Sequence, residues 1–144
     1  MMPFRIYVAA SNTHKKDAME IGDKLQYIGC SITSQWHNPD YKPLTRIVEA
    51  SGDLACIANC QILLLLDWGH AAEQHSGYYM EKVGYALAKD KQVIWWHEQK
   101  PLLASSYPLY SFLDKVHNIY NWEDLYDTLE VAGFEAELDG EIKS

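Results

Sequence analysis

The sequence predicts a doubly wound α/β domain built on a five-stranded parallel sheet. Short apolar runs alternate with segments of helical spacing along most of the 144 residues, the pattern of successive βαβ units. One of these runs, Ile62-Leu63-Leu64-Leu65-Leu66, has no polar alternation at all. A strand of that kind needs cover on both faces, which a parallel sheet between two helical layers supplies. The crossovers are then expected to be right-handed.

The first strand is read in Ile6-Tyr7-Val8-Ala9-Ala10, which is apolar, partly β-branched and halted by Ser11-Asn12-Thr13. Those polar side chains suit a helix start. Over residues 14–28, Ala18, Ile21, Leu25 and Ile28 recur at helical spacing, and Gly29 ends the run. Residues 30–35 are read as a second strand, and 36–43, with Pro39 and Pro43, as a loop. Residues 44–59 are helical in pattern, with a break expected at Ser51-Gly52. The central strand ends at Asp67-Trp68-Gly69.

A helix over residues 77–89 and a strand at Val93-Ile94-Trp95-Trp96 come next, followed by an irregular stretch over 100–113. An edge strand at His117-Asn118-Ile119-Tyr120 leads to Asn121, which caps a final helix through Ala132. The acidic tail from Glu135 is expected to fray. Residues 1–134 therefore read as a single domain and 135–144 as a tail. Five strands connected in this way favour the flavodoxin-like order 2-1-3-4-5.

Composition narrows the partners. Asp and Glu outnumber Lys and Arg by 20 to 12, for a formal charge of −8. Such a surface repels a nucleic-acid duplex, while a locally positive pocket can still take a small phosphorylated ligand. Cys30, Cys56 and Cys60 match neither a redox pair nor a zinc spacing and are expected to be reduced and mostly buried. No apolar run approaches the ~18 residues of a membrane span. The opening residues show no signal-peptide pattern, so the cytoplasm is the expected compartment.

Ligands on such sheets sit beyond the carboxyl ends of the strands. The candidate site therefore draws on Ser11 and Asn12, on Trp36, on Asp67 and Trp68, and on His75-Ser76-Gly77. Ser76 and Gly77 would offer free backbone N–H groups to an anion at the helix start, unless they serve only as a cap. Trp36 and Trp68 both follow strands and are placed to stack on a base. Glu81, about one turn inside its helix, would be kept ionised by the helix dipole. Gly84 costs roughly 1 kcal/mol in a helix interior against alanine, which points to close packing. Tyr7 and Asp53 could reach the same cleft. His70, Glu73, His75 and His97 match no zinc motif, and neither metal nor cofactor is expected.

Three segments carry a resemblance: Ile6-Tyr7-Val8-Ala9, Asp53-Leu54 followed by Ile57, and Gly77 with Glu81 leading into Gly84-Tyr85-Ala86. Together they resemble the nucleoside 2-deoxyribosyltransferase family and its nucleotide N-glycosidase relatives, and more distantly TIR-type NAD-cleaving domains. The resemblance implies cleavage or transfer of the N-glycosidic bond of a nucleoside or nucleoside 5′-monophosphate. It makes Glu81 the nucleophile, has Asp53 assist the leaving base, and has Tyr7 orient the nucleophile. It also implies a homo-oligomer, and Tyr107, Tyr110 and Phe112 are read as interface residues. The family usually reads Glu-x-Gly-Tyr-Ala, whereas this chain has one more residue between Glu81 and Gly84. Counted back from the glycine, Lys82 takes the nucleophile's place. Two further functions stay open: a binding or sensor module without catalysis, and TIR-like NAD hydrolysis.

Overall fold

The structure, a computed structural model, describes residues 3–68, 78–98 and 114–143, with the backbone alone for 78–80 and 133–143. Strands β1 (Arg5–Ala9), β2 (Ser31–Ile32), β3 (Ile62–Asp67), β4 (Gln92–His97) and β5 (Val116–Ile119) form one sheet. Their order is β2-β1-β3-β4-β5, and every neighbouring pair is parallel. This is the order expected from the sequence. The helices are α1 (Lys15–Tyr27), α2 (Arg46–Asn59), α3 (Tyr78–Ala88) and α4 (Trp122–Lys143).

Strand side chains alternate between two cores, as a period of two requires. Ile6, Val8, Leu64, Leu66, Ile94 and Trp96 pack with Leu25 of α1 and with Leu125 and Leu129 of α4. Tyr7, Ala9, Leu63, Leu65, Val93 and Trp95 pack with Ile57 of α2 and with Val83 and Ala86 of α3. All five residues from Ile62 to Leu66 are buried, which explains the absence of polar alternation. Each contributes about 1.5–3 kcal/mol of apolar burial. A leucine-to-alanine change in this strand should cost about 2–5 kcal/mol.

Four expectations are corrected. The second strand was expected over residues 30–35 but covers only Ser31–Ile32, because side chains take over from backbone at its end. Val8 donates its N–H to Ser34 Oγ at 3.1 Å, and the Trp36 indole N–H donates to the Val8 carbonyl at 2.7 Å. The helix after β1 begins at Lys15, behind a short 3₁₀ turn over Asn12–His14. At its far end Gly29 has φ 107°, and Cys30 donates to the Leu25 carbonyl, so the glycine closes the helix as expected.

The third correction concerns α2, which runs unbroken through Ser51-Gly52 from a Thr45 cap whose hydroxyl accepts the Val48 N–H at 3.1 Å. Gly52 makes room in place of a break, since a Cβ there would lie 2.9 Å from the Tyr41 hydroxyl. Finally, α4 continues past Ala132 to Lys143, a stretch that carries the helix formers Glu135, Ala136, Glu137 and Leu138 between Gly133 and Gly140. Its start is as expected: Asn121 Oδ1 accepts the Asp124 N–H, and Asp124 Oδ2 accepts the Tyr120 N–H. The cysteines are free, with Cys30 and Cys60 buried and Cys56 half-buried.

Candidate functional site

Tyr7 leaves β1 on the side covered by α2 and α3, fully buried. Its hydroxyl donates to Asp53 Oδ1 at 3.3 Å. Asp53 lies well inside α2, on the same side of the helix as Ile57, and is 7% exposed. Four residues apart on a helix, the two share one face, so the packing that buries Ile57 also brings the carboxylate to Tyr7.

The third member of this cluster is Lys82, 8% exposed. Its Nζ is 3.7 Å from Asp53 Oδ2 and lies 5.5 Å from the Tyr7 ring centroid and 5.4 Å from that of Trp36. A cation over two aromatic faces gains from both ring quadrupoles. Burial pushes the Lys82 pKa down, and the neighbouring Asp53 opposes that shift.

Helix geometry decides which residue of α3 enters the site. Lys82, Val83 and Ala86 are buried, Gly84 and Tyr85 are half-buried, and Glu81 is exposed. One residue turns the helix by about 100°, and it is Lys82, not Glu81, that falls on the buried side with Val83 and Ala86. The observed register is the one counted back from Gly84.

A second polar group sits at the carboxyl ends of β3 and β4. Asp67 follows Leu63 and Leu65 by strand parity, on the α2–α3 side. Its Oδ2 accepts the Trp95 indole N–H at 2.9 Å and lies 4.0 Å from His97 Nδ1. His97 is stacked between Trp95 and Tyr120, and its Nε2 is 2.7 Å from Asn118 Oδ1. Trp68 faces the opposite side, edge-on to Trp96 at 5.1 Å, with a buried indole N–H that has no hydrogen-bond partner among the described residues. Ser11 and Asn12 begin the turn into α1, and the Ser11 hydroxyl pairs with that of Thr13 at 2.8 Å.

The structure thus brings together Tyr7, Asp53 and Trp36 of the expected site, and it adds Lys82. Asp67 belongs to a neighbouring group, Ser11, Asn12 and Trp68 lie on the α1 side, and Glu81 is turned to solvent. His75, Ser76 and Gly77 lie outside the described residues, as do His70, Glu73, Tyr107, Tyr110 and Phe112. The Asp67–His97–Asn118 arrangement was not foreseen. Its members are scattered along the chain and meet only through strand register, which no local pattern announces. Among the described residues no cluster of three His, Cys, Asp or Glu side chains could hold a metal. Nor is any helix among them long and apolar enough to cross a membrane.

An all-parallel sheet in the order 2-1-3-4-5 between two helical layers is a flavodoxin-like α/β fold. No protein-family model matches the chain, and neither does any curated protein. Among solved structures it is similar to the CMP N-glycosidase BcmB of Clostridium botulinum, with 15% identity and a TM-score of 0.52 over 94% of this chain and 98% of that one. It is also similar to a 2-deoxyribosyltransferase of the psychrotolerant bacterium Bacillus psychrosaccharolyticus. There the identity is 17% and the TM-score 0.59, over 87% of this chain and 95% of that one.

Proposed function

We propose that this chain binds a nucleoside or nucleoside 5′-monophosphate at the carboxyl edge of its sheet and cleaves or transfers the N-glycosidic bond there. The observation that carries this reading is the buried cluster of Tyr7, Asp53 and Lys82 beside Trp36. It stands on a fold that resembles, among solved structures, one described as a CMP N-glycosidase and one described as a 2-deoxyribosyltransferase. In this reading Asp53, oriented by Tyr7, holds or protonates the departing base, and Trp36 gives the base a flat apolar surface. Asp67, on the α2–α3 side, and Trp68, on the α1 side, would flank the ligand. Ser11 and Asn12, together with His75, Ser76 and Gly77, would supply hydrogen bonds to sugar and phosphate. This reading gives Glu81, exposed on α3, no part in breaking the bond.

The test is incubation with a panel of nucleosides, 5′-monophosphates and NAD, followed by chromatography for free base. Base should appear from a nucleoside or nucleotide, and Glu81→Gln should release it at the wild-type rate. Loss of release in Glu81→Gln would return the nucleophile's role to Glu81. Nicotinamide as the sole product would replace this reading with the TIR-like one.

A second reading, ligand binding without reaction, is favoured by the ion pair between Lys82 and Asp53, which engages the carboxylate that Tyr7 orients. A nucleotide that raises the melting temperature yet stays intact would select it. Assembly as a homo-oligomer is part of the proposal. The exposed Leu44, Ile47, Val48 and Leu54 on and before α2 support it, and sedimentation of the full chain tests it.

A further inference from the structure

We propose that the Lys82 amine is the nucleophile of this site, attacking C1′ of the bound nucleoside and holding the sugar as an imine. The inference rests on the nucleoside reading above and adds which atom attacks and what intermediate forms. Three observations carry it. Lys82 occupies the buried, sheet-facing position of α3, while Glu81 is exposed. Its Nζ lies near two aromatic rings, at 5.5 and 5.4 Å from their centroids, surfaces that exclude water from a reactive amine. Asp53 stands 3.7 Å away, longer than a tight charge-assisted hydrogen bond and close enough for a proton acceptor to serve as the lysine attacks.

Burial lowers the pKa of the Lys82 ammonium, which raises the share of neutral amine at a given pH. Desolvated lysines are activated as nucleophiles in this way. Salt pairing with Asp53 works against it, so the reacting form is the one in which the Lys82 proton has passed to Asp53.

The steps balance without an added oxidant or reductant. The Nζ lone pair forms a bond to C1′ as the C1′–N bond to the base breaks. The bonding pair leaves on the base, which takes the proton from Asp53. The attached nitrogen then loses a proton to Asp53, the C1′–O4′ bond opens, and O4′ is protonated as the C1′=N bond forms. Addition of water to this imine releases the free sugar and restores the amine. The sum is one nucleoside and one water giving one sugar and one base.

The test uses the full chain with 2′-deoxyadenosine and 2′-deoxycytidine 5′-monophosphate as probes, in the presence and absence of sodium borohydride, followed by peptide mass mapping. The expected result is a reduced pentitol joined to Lys82 through a secondary amine, formed only when probe and borohydride are both present. Lys82→Arg keeps the charge and removes the nucleophile. It should lose the adduct and lower base release on the order of 10³-fold while the probe still raises its melting temperature. Lys82→Met serves the same purpose where the arginine variant does not fold.

Base release without an adduct at Lys82, with a hydroxylamine-labile ester on a carboxylate instead, overturns this inference and leaves the nucleoside reading standing. Adduct formation that survives in Lys82→Arg also overturns it. Absence of both base release and adduct with every probe overturns the inference and the cleavage reading together.

Discussion

Replacing Asp53 by Asn removes the carboxylate that lies beside the buried Lys82 ammonium. At 3.7 Å and an effective dielectric of about 20, the attraction between the two charges is about 4.5 kcal/mol. Desolvation has already consumed part of this, because burial is the largest influence on the Lys82 pKa and acts downward. A ceiling on the cost comes from the lysine itself, which can shed its proton when the charge becomes too costly. From an ordinary value of 10.5, deprotonation at pH 7 costs about 5 kcal/mol. The expected destabilisation of Asp53→Asn at pH 7 is therefore about 3–5 kcal/mol, on the order of 10 °C in melting temperature for a chain of this size.

The sign of the pH dependence follows from the same lysine. Its folded pKa is depressed, and more so without Asp53. The penalty therefore applies where the unfolded lysine is charged and fades as pH rises toward 10.5. Denaturant unfolding of wild type, Asp53→Asn, Lys82→Met and the double variant, each at pH 7 and pH 10, measures this. The double variant should recover part of the loss, since an amide facing a methionine strands no charge. Equal destabilisation at both pH values, or a double variant equal to the sum of the two singles, would refute the claim that a desolvated ion pair occupies this site.

Two further outcomes concern stability. Burial pushes the Cys60 thiol up to about 11 from 9.0. Its contribution is present below pH 9 and is lost as pH rises through about 11, amounting to about 2–3 kcal/mol; Cys60→Ala should flatten the fall in stability over that window in denaturant titrations. Thr45→Ala removes the hydroxyl that accepts the Val48 N–H and should cost about 1 kcal/mol, read as a shift in denaturation midpoint with an unchanged m-value.

The sheet order was legible because its central strand admits no polar residue and because helical and extended segments alternate in strict turn. The limits of the second strand were not, since the groups that finish it are the Ser34 hydroxyl and the Trp36 indole, and hydrophobic pattern does not register such substitutions. Gly52 misled for a related reason. It has the look of a helix breaker, and only the approach of Tyr41 shows why the helix tolerates it. Tyr7 and Asp53, which the fold brings into contact, had been singled out by the resemblance. Lys82 was visible only by counting back from Gly84, and sequence could not choose between that register and one anchored on Glu81. Packing made the choice, since Val83 and Ala86 must face the sheet and they carry Lys82 inward with them.

The brevity of β2 has a consequence for how the molecule keeps to itself. A parallel sheet ends in two borders, and a long flat border invites another chain to zip onto its open amides. Here one border offers only a two-residue rung before the backbone veers away into the Ser34–Trp36 turn. That leaves little template for edge-on growth, which guards against fibrillar self-association along this side.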